Sequence, residues 1–229
     1  MPSEKFRRLR SYKGRLTVSQ AAAGISVAIA NARQLADDAE LLRDHGRWPR
    51  ASSLAILAIE EAGKIPLIRH LLLVESDSDI ERLWKDYRSH TKKNVMGAFL
   101  DHVTPSPRIE DFRPLFDATS DHPQRIDALK QLSFYSDCLS DCRWSAPSEV
   151  IDESTAISLC LIARLSAPAH DGPMTSAEEL ELWVKHLKPA WGSDMSQMKK
   201  AVQNCFSDAA KRGVLRGKID VADIAEFLS

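Results

Sequence analysis

The stretch Ala55 to Pro66 reads AILAIEEAGKIP and lies inside an apolar run that continues through Leu67 and Ile68 to Leu71, Leu72, Leu73 and Val74. Its length and its Ala, Leu and Ile content read as a helix that is apolar on nearly every face, and such a helix belongs in the middle of a bundle. It nevertheless carries Glu60, Glu61 and Lys64. Burying one unpaired carboxylate costs several kcal/mol or more, so these carboxylates need partners or a function.

Working outward, start and stop signals for helices recur and strand signals do not. Thr17-Val-Ser-Gln20 is a capping-box pattern that opens a first helix running to about Asp44, where Gly46 stops it. Trp48 and Pro49 open the second helix, with proline at a permitted first-turn position, and it extends to about Val74. Pro66 lacks a backbone donor and presses on the carbonyl of Ala62, which predicts a kink just past the carboxylates. Ser78-Asp-Ile-Glu81 reads as the cap of a third helix carrying Leu83, Tyr87, His90, Asn94 and Ala98 at spacings of three and four.

A proline-rich connection containing Pro105, Pro107 and Pro114 follows, then a fourth helix after Asp121 to about Leu139. RWSAPSEVID is expected to be irregular, and STAISLCLIARL gives a short fifth helix. Pro168 and Gly172-Pro173 mark a soft boundary, beyond which Ser176 with Glu179 caps another helix and Gly192, Gly213 and Gly217 punctuate further ones. The expectation is an all-α protein. A bundle of four to five helices with a basic N-terminal arm occupies residues 1–170, and a smaller helical C-terminal extension occupies 171–229.

Composition narrows the function. The chain has 229 residues, 28% of them charged, and a formal net charge of -1, so contact with nucleic acid must rest on a local patch. The dense basic run is EKFRRLRSYKGR, with Lys5, Arg7, Arg8, Arg10, Lys13 and Arg15. Neither a signal peptide nor a membrane span is evident, which leaves the cytoplasm as the expected location. Cys138, Cys142, Cys160 and Cys205 form no CxxC pair and are expected to be buried free thiols. Ferritin-like metal sites need Glu-x-x-His on two helices, a pattern missing from the central ones, so neither metal nor cofactor is expected.

The polar residues of the central helices suggest a network. Glu60 and Lys64 are i, i+4 and suited to pair, while Glu61 shares a line with Leu54, Leu57, Ile65 and Ile68. On the third helix His90 and Lys93 are i, i+3. If helices two and three are antiparallel neighbours, either glutamate reaches them. Such a network fixes helix register or forms a site, and the residues alone leave both open.

An ordered set of short motifs is more specific. Asn31-Ala32, Trp48 with Ala51, Glu60-Glu61-Ala62-Gly63-Lys64, His90-Thr91-Lys92-Lys93, Leu129-Lys130-Gln131, Tyr135-Ser136-Asp137 and Trp144-Ser145-Ala146-Pro147 occur in that order. Between Asn31 and Pro147 the chain thereby resembles the AbiV family of bacterial abortive-infection proteins, which sits within the broad HEPN group of helical bundles. The resemblance implies phage defence and a homodimer. It also implies RNA as a target, cleaved without metal through an Arg-x(4 to 6)-His motif, or else a non-catalytic dimer that binds a phage-encoded activator or a host translation factor. The chain departs from the motif, because Arg88 is two residues before His90 and Arg82 is eight before it. Arg164-Leu-Ser-Ala-Pro-Ala-His170 has the spacing, but Pro168 breaks its helix. The candidate catalytic set is therefore His90 as acid or base, Arg88 and Lys93 on phosphate, and Glu60, Glu61 and Lys64 as the groups that orient and tune them.

Overall fold

A computed structural model describes residues 11–89, 122–138, 142–167 and 172–217, together with 222 and 224. Among them the regular elements are all helical: α1 Val18–Asp44, α2 Trp48–Ala62, α3 Lys64–Leu71, α4 Asp77–Arg88, α5 His122–Phe134, α6 Pro147–Val150, α7 Glu153–Ser166, α8 Ala177–Leu187 and α9 Met195–Lys211. One isolated antiparallel bridge, Cys138 to Trp144, is the only β-type pairing among these residues.

α1 starts where the sequence places it, with a reciprocal capping box between Thr17 and Gln20. It buries Ala21, Ile25, Ala28, Ile29, Ala32, Ala36 and Ala39, a stripe at spacings of three and four. α2 is the central helix. Ala51, Ser52, Ser53, Ala55, Ile56, Ala58, Ile59, Glu60 and Ala62 are all buried, and α1, α5 and α7 pack around it. Alanine and serine at these positions let the neighbouring backbones approach closely. Ile56 and Ile59, which pack with Ala36, Ala39, Leu159 and Cys160, supply the larger hydrophobic gain, about 1.5–3 kcal/mol for each fully buried side chain.

The predicted kink appears as a break. The long second helix divides at Gly63, with α2 ending at Ala62 and α3 starting at Lys64. Pro66 has no N–H to return to the carbonyl of Ala62, so the turn spanning 62–66 is the weakest point of the helix. The break re-aims α3: Ile65, Ile68 and Leu72 pack with Ile25 and Ile29 of α1 and with Leu180 of α8.

Several local expectations are corrected. The cap of α4 is Ser76, whose hydroxyl accepts from the backbone of Asp79, so the helix starts ahead of the Ser78-Glu81 pattern. It then stops at Arg88, with Ser89 in an extended conformation, and His90, Asn94 and Ala98, expected on the same face as Leu83 and Tyr87, lie outside the described residues. α4 packs against α3 and not against the centre of α2. α5 ends at Phe134, short of Leu139, and the stretch expected to be irregular contains the single turn α6.

The C-terminal helices are joined to the bundle. Leu182 and Leu187 of α8 pack with Cys205 and Phe206 of α9 and with Leu73. Arg69 of α3, half-buried and with its pKa pushed down to about 10 by desolvation, donates to the carbonyls of Met174 at 2.9 Å and Pro173 at 2.8 Å.

Candidate functional site

Glu60 is the buried carboxylate of the central helix, only 2% exposed. Its Oε1 lies 2.7 Å from Nζ of Lys130 on α5, and the same ammonium is 2.8 Å from Asp127. Burial pushes the Lys130 ammonium toward deprotonation, but the bonds to Asp127 and Glu60 outweigh it and raise its pKa above the ordinary lysine value. One step further along the same interface, Ser53 donates to Ser133 at 2.7 Å. Glu60 and Ser53 are two turns apart on α2, and Lys130 and Ser133 are one turn apart on α5. Two polar contacts thus fix the antiparallel register of these helices.

The geometry revises the expected pairing. Lys64 pairs with Glu61 at i, i+3 and not with Glu60 at i, i+4. The Lys64 ammonium also lies 5.4 Å from the centre of the Tyr87 ring, so it ties the α2–α3 break to α4. Glu61, assigned to the bundle-facing line, is half-buried, and Glu60 takes the interior. Lys130 is the partner that the residue-by-residue reading missed, although Leu129-Lys130-Gln131 is among the motifs noted. A signal was present: Lys130 is four residues after Ile126 and three before Ser133, which places it on the apolar face of α5.

Arg88 ends α4 at the surface. Its Nη1 donates to the carbonyl of Trp84 at 2.9 Å, its Nη2 donates to the carbonyl of Tyr12, and its guanidinium lies 5.4 Å from the centre of the Trp84 ring. The Trp84 indole N–H donates to the carbonyl of Gly14 at 2.9 Å, and Tyr12 meets the same ring edge-on at 5.8 Å. Arg15 pairs with Asp77 at 2.8 Å. Residues 11–16 therefore form a strap bound along α4, with Arg15 at the first turn of the helix and Tyr12 at its Arg88 end. His90 and Lys93 lie outside the described residues.

The remaining candidates separate. Arg164 is held by Asp37 at 2.7 Å and by Glu40 of α1, bonds that raise its pKa, and His170 lies outside the described residues. The thiols do not all behave as expected. Cys160 and Cys205 are buried, but Cys142 and Cys138, which bridges to Trp144, are exposed. No helix among the described residues is long and apolar enough to cross a membrane.

A helical bundle organised around a central Glu-Glu-x-Gly-Lys helix defines an all-α, HEPN-like protein. The HEPN_AbiV family model, described as AbiV, matches residues 20–167. The chain belongs to the AbiV family, and membership points to an abortive-infection function of the HEPN type. Comparison with curated proteins and with solved structures gives no match.

Proposed function

We propose that the protein defends against phage as an RNA-directed abortive-infection factor, cleaving RNA without a metal ion at the end of α4. The observation that carries this reading is the placement of Arg88. A guanidinium has five N–H donors, and the bonds to Trp84 and Tyr12 use two of them, so three remain for a phosphate while the group is already held in position. His90 follows two residues later and supplies the proton transfer. It takes the proton of a ribose 2′-hydroxyl as that oxygen attacks phosphorus, and returns a proton to the departing 5′-oxygen. Lys93 adds a second cation, and Glu61 with Lys64 braces α3 against α4. Glu60 acts at a distance, by fixing the bundle through Lys130.

The outward face of α7 favours a second reading, a non-catalytic dimer. Ile157, Leu161 and Leu165 recur every four residues on that face and are 47%, 57% and 62% exposed, in a helix whose inner face is already buried. Arg164 borders the stripe but is paired with Asp37 and Glu40, and an apolar stripe suited to an isologous interface fits a second copy of the chain.

One experiment separates the readings. RNA cleavage is measured in EDTA for wild type and His90→Ala, with a plaque assay and thermal melting on the same proteins and on Leu161→Glu. A His90→Ala protein that melts like wild type but neither cleaves nor protects supports the nuclease. If it protects fully while Leu161→Glu becomes monomeric and loses protection, the nuclease is refuted and the binding dimer stands.

A further inference from the structure

A cavity of about 340 Å³ opens beside Arg88, lined by Ser11, Lys13, Glu81, Trp84, Lys85 and Arg88. Lys13 comes from the strap and Lys85 from the turn of α4 before Arg88. Both lysines are exposed, and neither has an ion-pair partner among the described residues. The larger cavity, about 730 Å³ between the α3–α4 connection, α4 and the end of α8, looks equally basic with Arg82, Lys185 and Lys188. There, however, each cation is already paired, with Asp79 at 2.8 Å, Asp208 at 2.8 Å and Glu75 at 3.0 Å. In the smaller cavity three cations from two separate segments face one carboxylate, Glu81. Ser11 lines it as well, and in the sequence the basic residues Lys5, Arg7, Arg8 and Arg10 come just before it.

We infer that this cavity is a docking site for the phosphodiester backbone of single-stranded RNA, with Lys13, Lys85 and Arg88 each neutralising backbone charge as the strand passes along the end of α4. The inference rests on the RNA-directed reading and extends it to residues outside the family motifs. The strap is what assembles the site. The bonds from Trp84 to Gly14 and from Arg88 to Tyr12 lie on either side of Lys13 and set its position against α4. Trp84 is buried and its ring carries Arg88, so it serves as the wall of the site and not as a stacking platform for bases. Recognition of this kind is electrostatic and sequence-independent, and its signature is the dependence of affinity on salt.

The test is fluorescence anisotropy of a short labelled single-stranded RNA of mixed sequence across a KCl titration. The proteins are wild type, Lys13→Gln/Lys85→Gln, Glu81→Gln and, as a charge-matched control at the larger cavity, Lys185→Gln/Lys188→Gln. Each backbone contact contributes about 0.7 to the slope of log K against log salt, so removing two lowers the slope by about 1.4. The expected result is that loss for Lys13→Gln/Lys85→Gln, tighter binding for Glu81→Gln, and a near wild-type slope for the control, all with unchanged thermal melting. Wild type that binds RNA with a slope unaltered by Lys13→Gln/Lys85→Gln, or altered equally by the control, overturns the site and leaves the RNA reading standing. Wild type that does not bind RNA overturns both.

Discussion

Replacing Glu179 with glutamine perturbs one carboxylate and should loosen the attachment of the C-terminal helices to the bundle. Glu179 is fully buried, and it accepts five hydrogen bonds. Oε1 takes the backbone N–H groups of Met174 at 3.1 Å and Arg216 at 2.9 Å. Oε2 takes those of Thr175 at 3.1 Å and Ser176 at 3.0 Å, and the Ser176 hydroxyl at 2.9 Å. One side chain thereby ties the entry to α8 and the segment after α9 together. Glu179→Gln keeps one acceptor oxygen and turns the other into a donor facing donors. With the amide nitrogen on the Oε1 side, the N–H groups of Met174 and Arg216 lose their acceptor. Hydrogen bonds to a charged group are worth about 1.5–3 kcal/mol each, so two of them amount to roughly 3–6 kcal/mol.

The same carboxylate sets a pH dependence. Burial alone would raise its pKa, but the N–H groups of Ser176, Arg216 and Thr175 outweigh burial and hold it below the ordinary glutamate value. A folded-state pKa below the unfolded one means that the stabilisation is complete above about pH 4.3 and is lost as pH falls from there through the folded value. Urea unfolding at pH 7 should therefore show the full deficit for Glu179→Gln, and the gap between variant and wild type should narrow as pH drops below the ordinary carboxylate range. A deficit under about 1 kcal/mol at pH 7 would show that these bonds are replaced by water at little cost, against the expectation for buried donors. A gap independent of pH would refute the linkage.

Lys130→Met should cost about 3 to 5 kcal/mol, because it takes the ammonium from a carboxylate that is only 2% exposed, and the double variant Glu60→Gln/Lys130→Met should recover much of that loss. Thermal melting of the two singles and the double reads this coupling, and additive losses would argue against a buried pair. If the network is scaffold, the double variant also keeps anti-phage activity in a plaque assay. In native protein, Ellman's reagent should modify Cys138 and Cys142 quickly, and Cys160 and Cys205 only on unfolding, since burial removes access and pushes the Cys205 thiol up to about 12. Rapid reaction of all four thiols would contradict the packing of α7 and α9.

What could be read from the sequence, and what could not, follows from the range of the forces involved. The caps at Thr17 and Ser176 and the break after Glu60-Glu61 are local events decided within four residues, and each forms as the sequence indicates. The identity of the buried carboxylate is different, because Glu60 and Glu61 are adjacent on a helix that is apolar on almost every side. Only the neighbours decide which of them points inward, and the neighbour is α5, 70 residues away, with Lys130 and Ser133 on one face. An i, i+4 ion pair within a helix is worth a few tenths of a kcal/mol, whereas the contact across α2 and α5 satisfies a charge that would otherwise cost several. The contact between helices therefore prevails, and Lys64 turns to Glu61 and Tyr87. The same ordering of magnitudes assigns roles within the family motif. Glu60 and Lys130 join α2 to α5, and Lys64 and Glu61 pair across the break. Arg88 differs from all four in lying exposed at a helix end, where two backbone carbonyls hold its guanidinium and three of its N–H groups face outward to solvent.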